Sequence, residues 1–220
     1  MLDINVYMQQ LIQRLQAAFG NRLCYVGLQG SYLRGEAHEH SDIDAMVILE
    51  TLTVEDMDRY REILVDLGHY DLSCGFICGK QEMKNWNALE LCHLLHTTKD
   101  CYGNLADFVC TYTQSDVIQY TKMSLNNLYH FLCHSYIHSG KNSAYEMLPG
   151  MYKGAFFILQ SLQYLKSGEY ALTKRQLLEQ LEGMDREVLQ KSLMPEDPQL
   201  QTDEAFRLLL DWCSSHIQRL

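Results

Sequence analysis

The chain has 220 residues, with 28 acidic against 18 basic side chains and a formal net charge of -10 when histidine is neutral. That acidic balance argues against a broad nucleic-acid surface, which needs clustered Lys and Arg. No apolar run approaches the roughly 18 residues of a membrane span, and the first ten residues lack the basic region and apolar core of a signal peptide.

Met8, Leu11, Ile12, Leu15 and Phe19 recur at i, i+3, i+4, i+7 and i+11, which predicts an amphipathic helix stopped by Gly20-Asn21. Two apolar runs follow, 23–28 and 45–49; residues 23–28 read as the first strand and 42–49 as the second. Thr53-x-x-Asp56 predicts a capped helix to about Leu67, with Gly68 as its stop. Residues 70–77 read as the third strand, with Asp71 between two large apolar side chains. A turn and helix start over 79–87 include Trp86, expected against the sheet edge, and 89–96 read as helical before a loop at 102–105.

After Ser115 strand-like alternation disappears. Helices are expected over 115–139, 143–167, 173–182, 185–192 and 202–219, punctuated by Gly140, Gly168, Gly183, Pro195 and Pro198. Ser143-x-x-Glu146 and Thr173-x-x-Gln176 read as capping boxes. The fold class is therefore α+β: a small mixed sheet with helices on one side over 1–112, then an all-helical bundle over 113–220. The eight cysteines form no Cys-x-x-Cys and sit mostly in apolar runs, which reads as a reduced, cytoplasmic protein without disulfides.

The stretch 30–44 concentrates the chemistry. Gly30-Ser31 follows the first strand, and Ser41-Asp42-Ile43-Asp44 opens the second. On a strand Asp42 and Asp44 point the same way, about 7 Å apart, while Ile43 enters the core. Paired carboxylates repel unless a cation lies between them, and hard oxygen donors suit Mg²⁺ bound together with substrate phosphates. A glycine lets the backbone approach a ligand closely, and a short helix starting near Ser31 aims free N–H groups at a phosphate. Asp71, buried in an apolar strand, needs a partner, and a shared metal would provide one.

The pattern Gly-Ser-x-x-x-Gly-x-x-x-x-x-Ser-Asp-Ile-Asp between two apolar strands resembles the signature of the polymerase-beta-type nucleotidyltransferases. Its form is that of the bacterial small-substrate branch, the minimal and antibiotic nucleotidyltransferases. Cys74-Gly75-Phe76-Ile77, Asn85-Trp86 and Tyr102-Gly103-x-Leu105 look like uncharacterised bacterial nucleotidyltransferase-domain proteins, which extends the match to about residue 105. The helical half is similar in order and pattern to the companion domain of antibiotic nucleotidyltransferases. It lacks the Arg-x-x-x-x-His of ribonuclease-type helical partners.

The resemblance implies transfer of a nucleoside monophosphate, AMP from ATP, to the hydroxyl of a small acceptor such as an aminoglycoside-like antibiotic, with two Mg²⁺ ions. It assigns Asp42, Asp44 and Asp71 to metal binding and catalysis, and Gly30 and Ser31 to the β- and γ-phosphates. Arg34, which has Glu36 and Glu39 as alternative partners, and Lys153, matching a helical-domain lysine of related two-domain enzymes, are the further nucleotide-binding candidates. The partners implied are a nucleoside triphosphate and a small acceptor, with no nucleic acid and no membrane. Two other readings are an inactive nucleotide-binding module and an antitoxin-like enzyme that adenylylates a partner protein. His130, His134 and His138 lie at i, i+4 and i+8 and read mainly as a packing or surface stripe, with zinc as the sharper alternative. His93 and His96 read as weaker metal candidates still.

Overall fold

The computed structural model describes residues 2–194 and 200–220 and divides into two compact units, Met1–Tyr112 and Thr113–Leu220. The first unit is built on a four-stranded mixed sheet, and the second is helical. Pro195 and Pro198 lie outside the described residues.

The first unit opens with α1 (Ile4–Phe19), whose Asp3 side chain accepts from the Asn5 and Val6 amides. β1 (Leu23–Leu28) leads to the short α2 (Gly30–Arg34), and β2 (Ile43–Leu49) is followed by α3 (Val54–Leu67). Thr53 and Asp56 form a full capping box at the start of α3. Next come β3 (Ser73–Gly79), α4 (Lys80–Lys84), α5 (Ala88–His96) and β4 (Lys99–Tyr102). The strand order is β3-β2-β1-β4. β1 runs antiparallel to β2 and to β4, whereas β2 and β3 are parallel, joined across α3.

β2 is the central element. Ile43, Ala45, Val47 and Leu49 pack with Leu11 and Leu15 of α1 and Ile63 of α3. Met46 and Ile48, on the opposite face, pack with Met83 of α4 and Leu91 of α5. Burial on both faces explains why 45–49 is apolar without alternation. Helices thus cover both faces of the sheet, not one as the sequence suggested. Phe76 of β3 meets Trp86 edge-on, with ring centroids 4.9 Å apart, so the tryptophan does pack beside the edge strand.

Two other expectations change. The third strand begins at Ser73, because Tyr70–Leu72 form a 3-10 turn that includes Asp71. Residues 99–102, which precede and enter the expected loop, form the edge strand β4.

The helical unit contains α6 (Gln114–His134), α7 (Lys141–Glu146), α8 (Leu148–Ser167), α9 (Lys174–Gln180), α10 (Gly183–Ser192) and α11 (Asp203–Arg219). Thr113 and Asp116 cap α6, and Thr173 and Gln176 cap α9. Ser143 does not cap: it lies inside α7, whose flanking residue is Gly140 at φ 89°. The helix expected over 143–167 is two, with Pro149 seated in the first turn of α8, where its missing N–H costs nothing.

The core of this unit gathers Tyr152 and Phe156 of α8, Val188 and Leu189 of α10, and Leu209 and Trp212 of α11, all buried. The Tyr152 hydroxyl donates to the Ala205 carbonyl at 2.8 Å. The Trp212 indole N–H donates to Asp185 at 2.7 Å, and the His216 ring nitrogen Nε2 lies 2.7 Å from the same carboxylate oxygen.

Burial by itself would push the Asp185 carboxyl up, but the His216 and Trp212 hydrogen bonds outweigh it and hold the group below the usual carboxylate range. A depressed carboxylate contributes stability above its unfolded pKa of about 3.9 and loses it as pH falls through the folded value. Thermal melts of the wild type are therefore expected to lose more stability between pH 6 and pH 3 than melts of Asp185→Asn. Parallel acid limbs for the two proteins would remove Asp185 from this role.

Candidate active site

The site is built where β1 and β2 meet α2. The Gln29 amide donates to the Asp44 carbonyl at 2.9 Å, continuing the antiparallel ladder one step past Leu28. The chain then turns sharply at Gly30, φ 69°, into α2. A Cβ on Gly30 would stand 1.8 Å from Oδ2 of Asp44 and 2.7 Å from its Cγ. The Asp44 carboxylate therefore lies directly against the Gly30 backbone, which a side chain at that position would block. This contact joins the Gly-Ser turn to the acidic pair.

Asp42 immediately precedes β2 and is exposed. It is presented by a small turn in which the buried Ser41 hydroxyl accepts from the His38 amide at 2.8 Å and the Ser41 amide donates to the His38 carbonyl at 3.0 Å. Asp44 is half-buried, with neighbours on the same strand that enter the apolar core. Both carboxylates act on one further side chain, the thiol of Cys74.

Cys74 is the residue that sequence reasoning missed. The parallel register pairs Asp44 with Cys74, so the thiol lies on β3 next to the Asp44 carboxylate. Burial, then the Asp44 charge, push the Cys74 thiol up, which keeps it protonated near neutral pH. Only the cross-strand register reveals this neighbour, and the expected start of the strand at 70 hid it.

Asp71 falls elsewhere. It is exposed in the 3-10 turn ahead of β3, not enclosed between strand residues. Among the described residues no group of three or more His, Cys, Asp or Glu is arranged to hold a metal ion. The donor set at the turn is two carboxylates. Two hard oxygen donors fit Mg²⁺, which completes its shell with water and substrate phosphates.

Gly30 and Ser31 open α2, and Gly35, φ 69°, closes it with its amide on the Ser31 and Tyr32 carbonyls. The Arg34 guanidinium binds Glu36 at 2.8 Å, one of its two expected partners. Arg34 also faces His93 of α5, whose pKa is lowered to about 4 by burial first, then by Arg34 and His96. His93 is therefore neutral at physiological pH. Lys153 is exposed on α8, in the helical unit.

Residues 8–95 match the family described as "Nucleotidyltransferase domain". This stretch is thus similar to a nucleotidyltransferase domain. It runs from within α1 to the end of α5 but for its last residue, with the Gly30-Ser31 turn and both aspartates inside the match. A Methanocaldococcus jannaschii protein named "Putative protein adenylyltransferase MJ1305" is 36% identical over 58 residues. That alignment covers 26% of this chain and 40% of the relative, so the chain spans well under half the length of the curated protein it matches. Among solved structures, spectinomycin adenyltransferase AAD(9) from Enterococcus faecialis, determined with ATP and spectinomycin, aligns with a TM-score of 0.60. At 17% identity it covers 97% of this chain and 99% of its own, and establishes likeness of fold. No helix among the described residues is long and apolar enough to cross a membrane.

Proposed function

We propose that this nucleotidyltransferase domain transfers a nucleoside monophosphate, AMP from ATP, to a hydroxyl acceptor and releases pyrophosphate. The observation that carries the reading is the packing of the Asp44 carboxylate against the bare backbone of Gly30. It sets the acid proposed to bind metal next to the turn whose amides and Ser31 hydroxyl are suited to a triphosphate. Both named relatives are adenylyl transferases by name, which supports adenylyl over other nucleotidyl transfer.

In this reading Asp42 and Asp44 hold Mg²⁺, which when bound neutralises phosphate charge and lowers the pKa of an acceptor hydroxyl. The Gly30 and Ser31 amides orient the β- and γ-phosphates, with the Ser31 hydroxyl as a further donor. Arg34, already neutralised by Glu36, serves the triphosphate only if a phosphate displaces that carboxylate. Lys153 is proposed as a further phosphate ligand. Asp71, exposed ahead of β3, is proposed to bind the metal on the acceptor side or to serve there as the general base.

The acceptor proposed is a small polyhydroxylated molecule of the aminoglycoside-like kind, supported by the spectinomycin-bound neighbour and by this chain's net charge of -10, which favours a cationic ligand. The protein-acceptor reading has one observation of its own: the 36% identical relative is named for protein adenylylation.

Calorimetric titration of a non-hydrolysable ATP analogue is expected to show binding that requires Mg²⁺. No binding in either condition would favour the inactive-module reading. With ATP, pyrophosphate release stimulated by an aminoglycoside supports the small-molecule acceptor. A gain of one AMP mass on a co-incubated protein supports the second reading.

A further inference from the structure

The helical unit carries a second group of potential ligands, unrelated to the carboxylate pair. His130 and His134 occupy the last turns of α6, and the chain continues through one π-helical turn, Ser135–Ser139, which contains His138. All three imidazoles are exposed. They stack as a ladder, with centroids 5.7 Å apart for His130–His134 and 4.7 Å apart for His134–His138. The closer pair falls where the helix pitch changes.

Three exposed imidazoles along one edge gain little from packing. They do match a chelate. A nitrogen held about 2.0–2.1 Å from an ion puts its ring centre roughly 3.2 Å from that ion, so two ligands at tetrahedral or square angles have centroids about 4.5–5.2 Å apart. The His134–His138 separation of 4.7 Å lies in this range, and the His130–His134 separation of 5.7 Å lies outside it. The nearby thiol of Cys133 interacts with Tyr129 and Cys213 and belongs to another face. Because no group of three His, Cys, Asp or Glu among the described residues could hold a metal, water must complete the shell of any ion here.

We propose that His134 and His138 form a surface site for a borderline divalent transition metal, of the Ni²⁺, Cu²⁺ or Zn²⁺ class, by two-imidazole chelation. Imidazole suits these ions and not Mg²⁺, so the site is chemically separate from Asp42 and Asp44. A bound ion staples the π-helical turn to the end of α6.

The test uses the full, untagged chain with Ni²⁺ as probe, because the eight cysteines would compete for softer ions. Titration calorimetry is expected to give one strong ion per chain. His134→Ala and His138→Ala should each weaken binding at least tenfold, and His130→Ala should leave it within about twofold. The positions are exposed, so circular dichroism should show all three variants folded. Wild-type affinity in His134→Ala, or a loss in His130→Ala equal to that in His138→Ala, would overturn the assignment. Paramagnetic broadening of the His134 and His138 ring signals, with His69 unaffected, gives an independent positive readout.

Discussion

Asp44→Asn is expected to abolish the Mg²⁺-dependent part of nucleotide binding, a loss of about 100-fold or more, which corresponds to about 2.7 kcal/mol. The amide is isosteric and keeps the contact with Gly30, so the fold should survive. It removes the charge that a divalent ion needs. Stability should change little, because the amide fills the same space beside Gly30. The check is titration of the ATP analogue with and without Mg²⁺, beside a thermal melt. A variant that melts like the wild type and still binds in a Mg²⁺-dependent way would remove Asp44 from the metal site.

Gly30→Ala is expected to damage the same function by a different route. Its Cβ would meet Oδ2 of Asp44 at 1.8 Å, so the carboxylate must rotate away or β1 and β2 must part. The backbone at φ 69° adds about 1–2 kcal/mol of strain for an L side chain. The control is Gly35→Ala. Gly35 has the same φ of 69°, but nothing lies within 4 Å of its Cβ. Both variants should lose several degrees of Tm through strain, and only Gly30→Ala should lose Mg²⁺-dependent binding. Equal binding losses in the two variants would mean that helix α2 matters, and not the contact with Asp44.

The parts of this site that were legible in the sequence are local ones. Gly30-Ser31 and Asp42-x-Asp44 are short spacings between two apolar runs, so chain continuity alone brings them near each other. The capping boxes at Thr53 and Thr173 read correctly because a cap needs only three residues of context. Ser143 fails the same test because Gly140 already starts the helix. Pairing across strands was not legible. β4 is four residues at a sheet edge, Lys-Asp-Cys-Tyr, too short and polar to show a period. The position of Asp71 depended on whether the chain turned or extended at Tyr70, and the positive φ of His69, 59°, sets up a turn that composition did not announce. Cys74 gained its place beside Asp44 only through that start and the parallel register.

The hydrogen bond from the Gln29 amide to the Asp44 carbonyl has a mechanical consequence. The residue before the Gly30-Ser31 turn and the residue bearing the second acid share one rung of the ladder. A pull on the carboxylate is thus transmitted to the start of α2 through a single peptide pair, and the two must travel as one rigid lever. Compliance belongs instead to the long excursion between them, residues 35–41. There the exposed Glu39 and His40 are anchored mainly at the His38–Ser41 pair. Asp42 sits at the end of this arm, outside the ladder, so of the two carboxylates Asp44 is the one whose backbone the strand pairing holds.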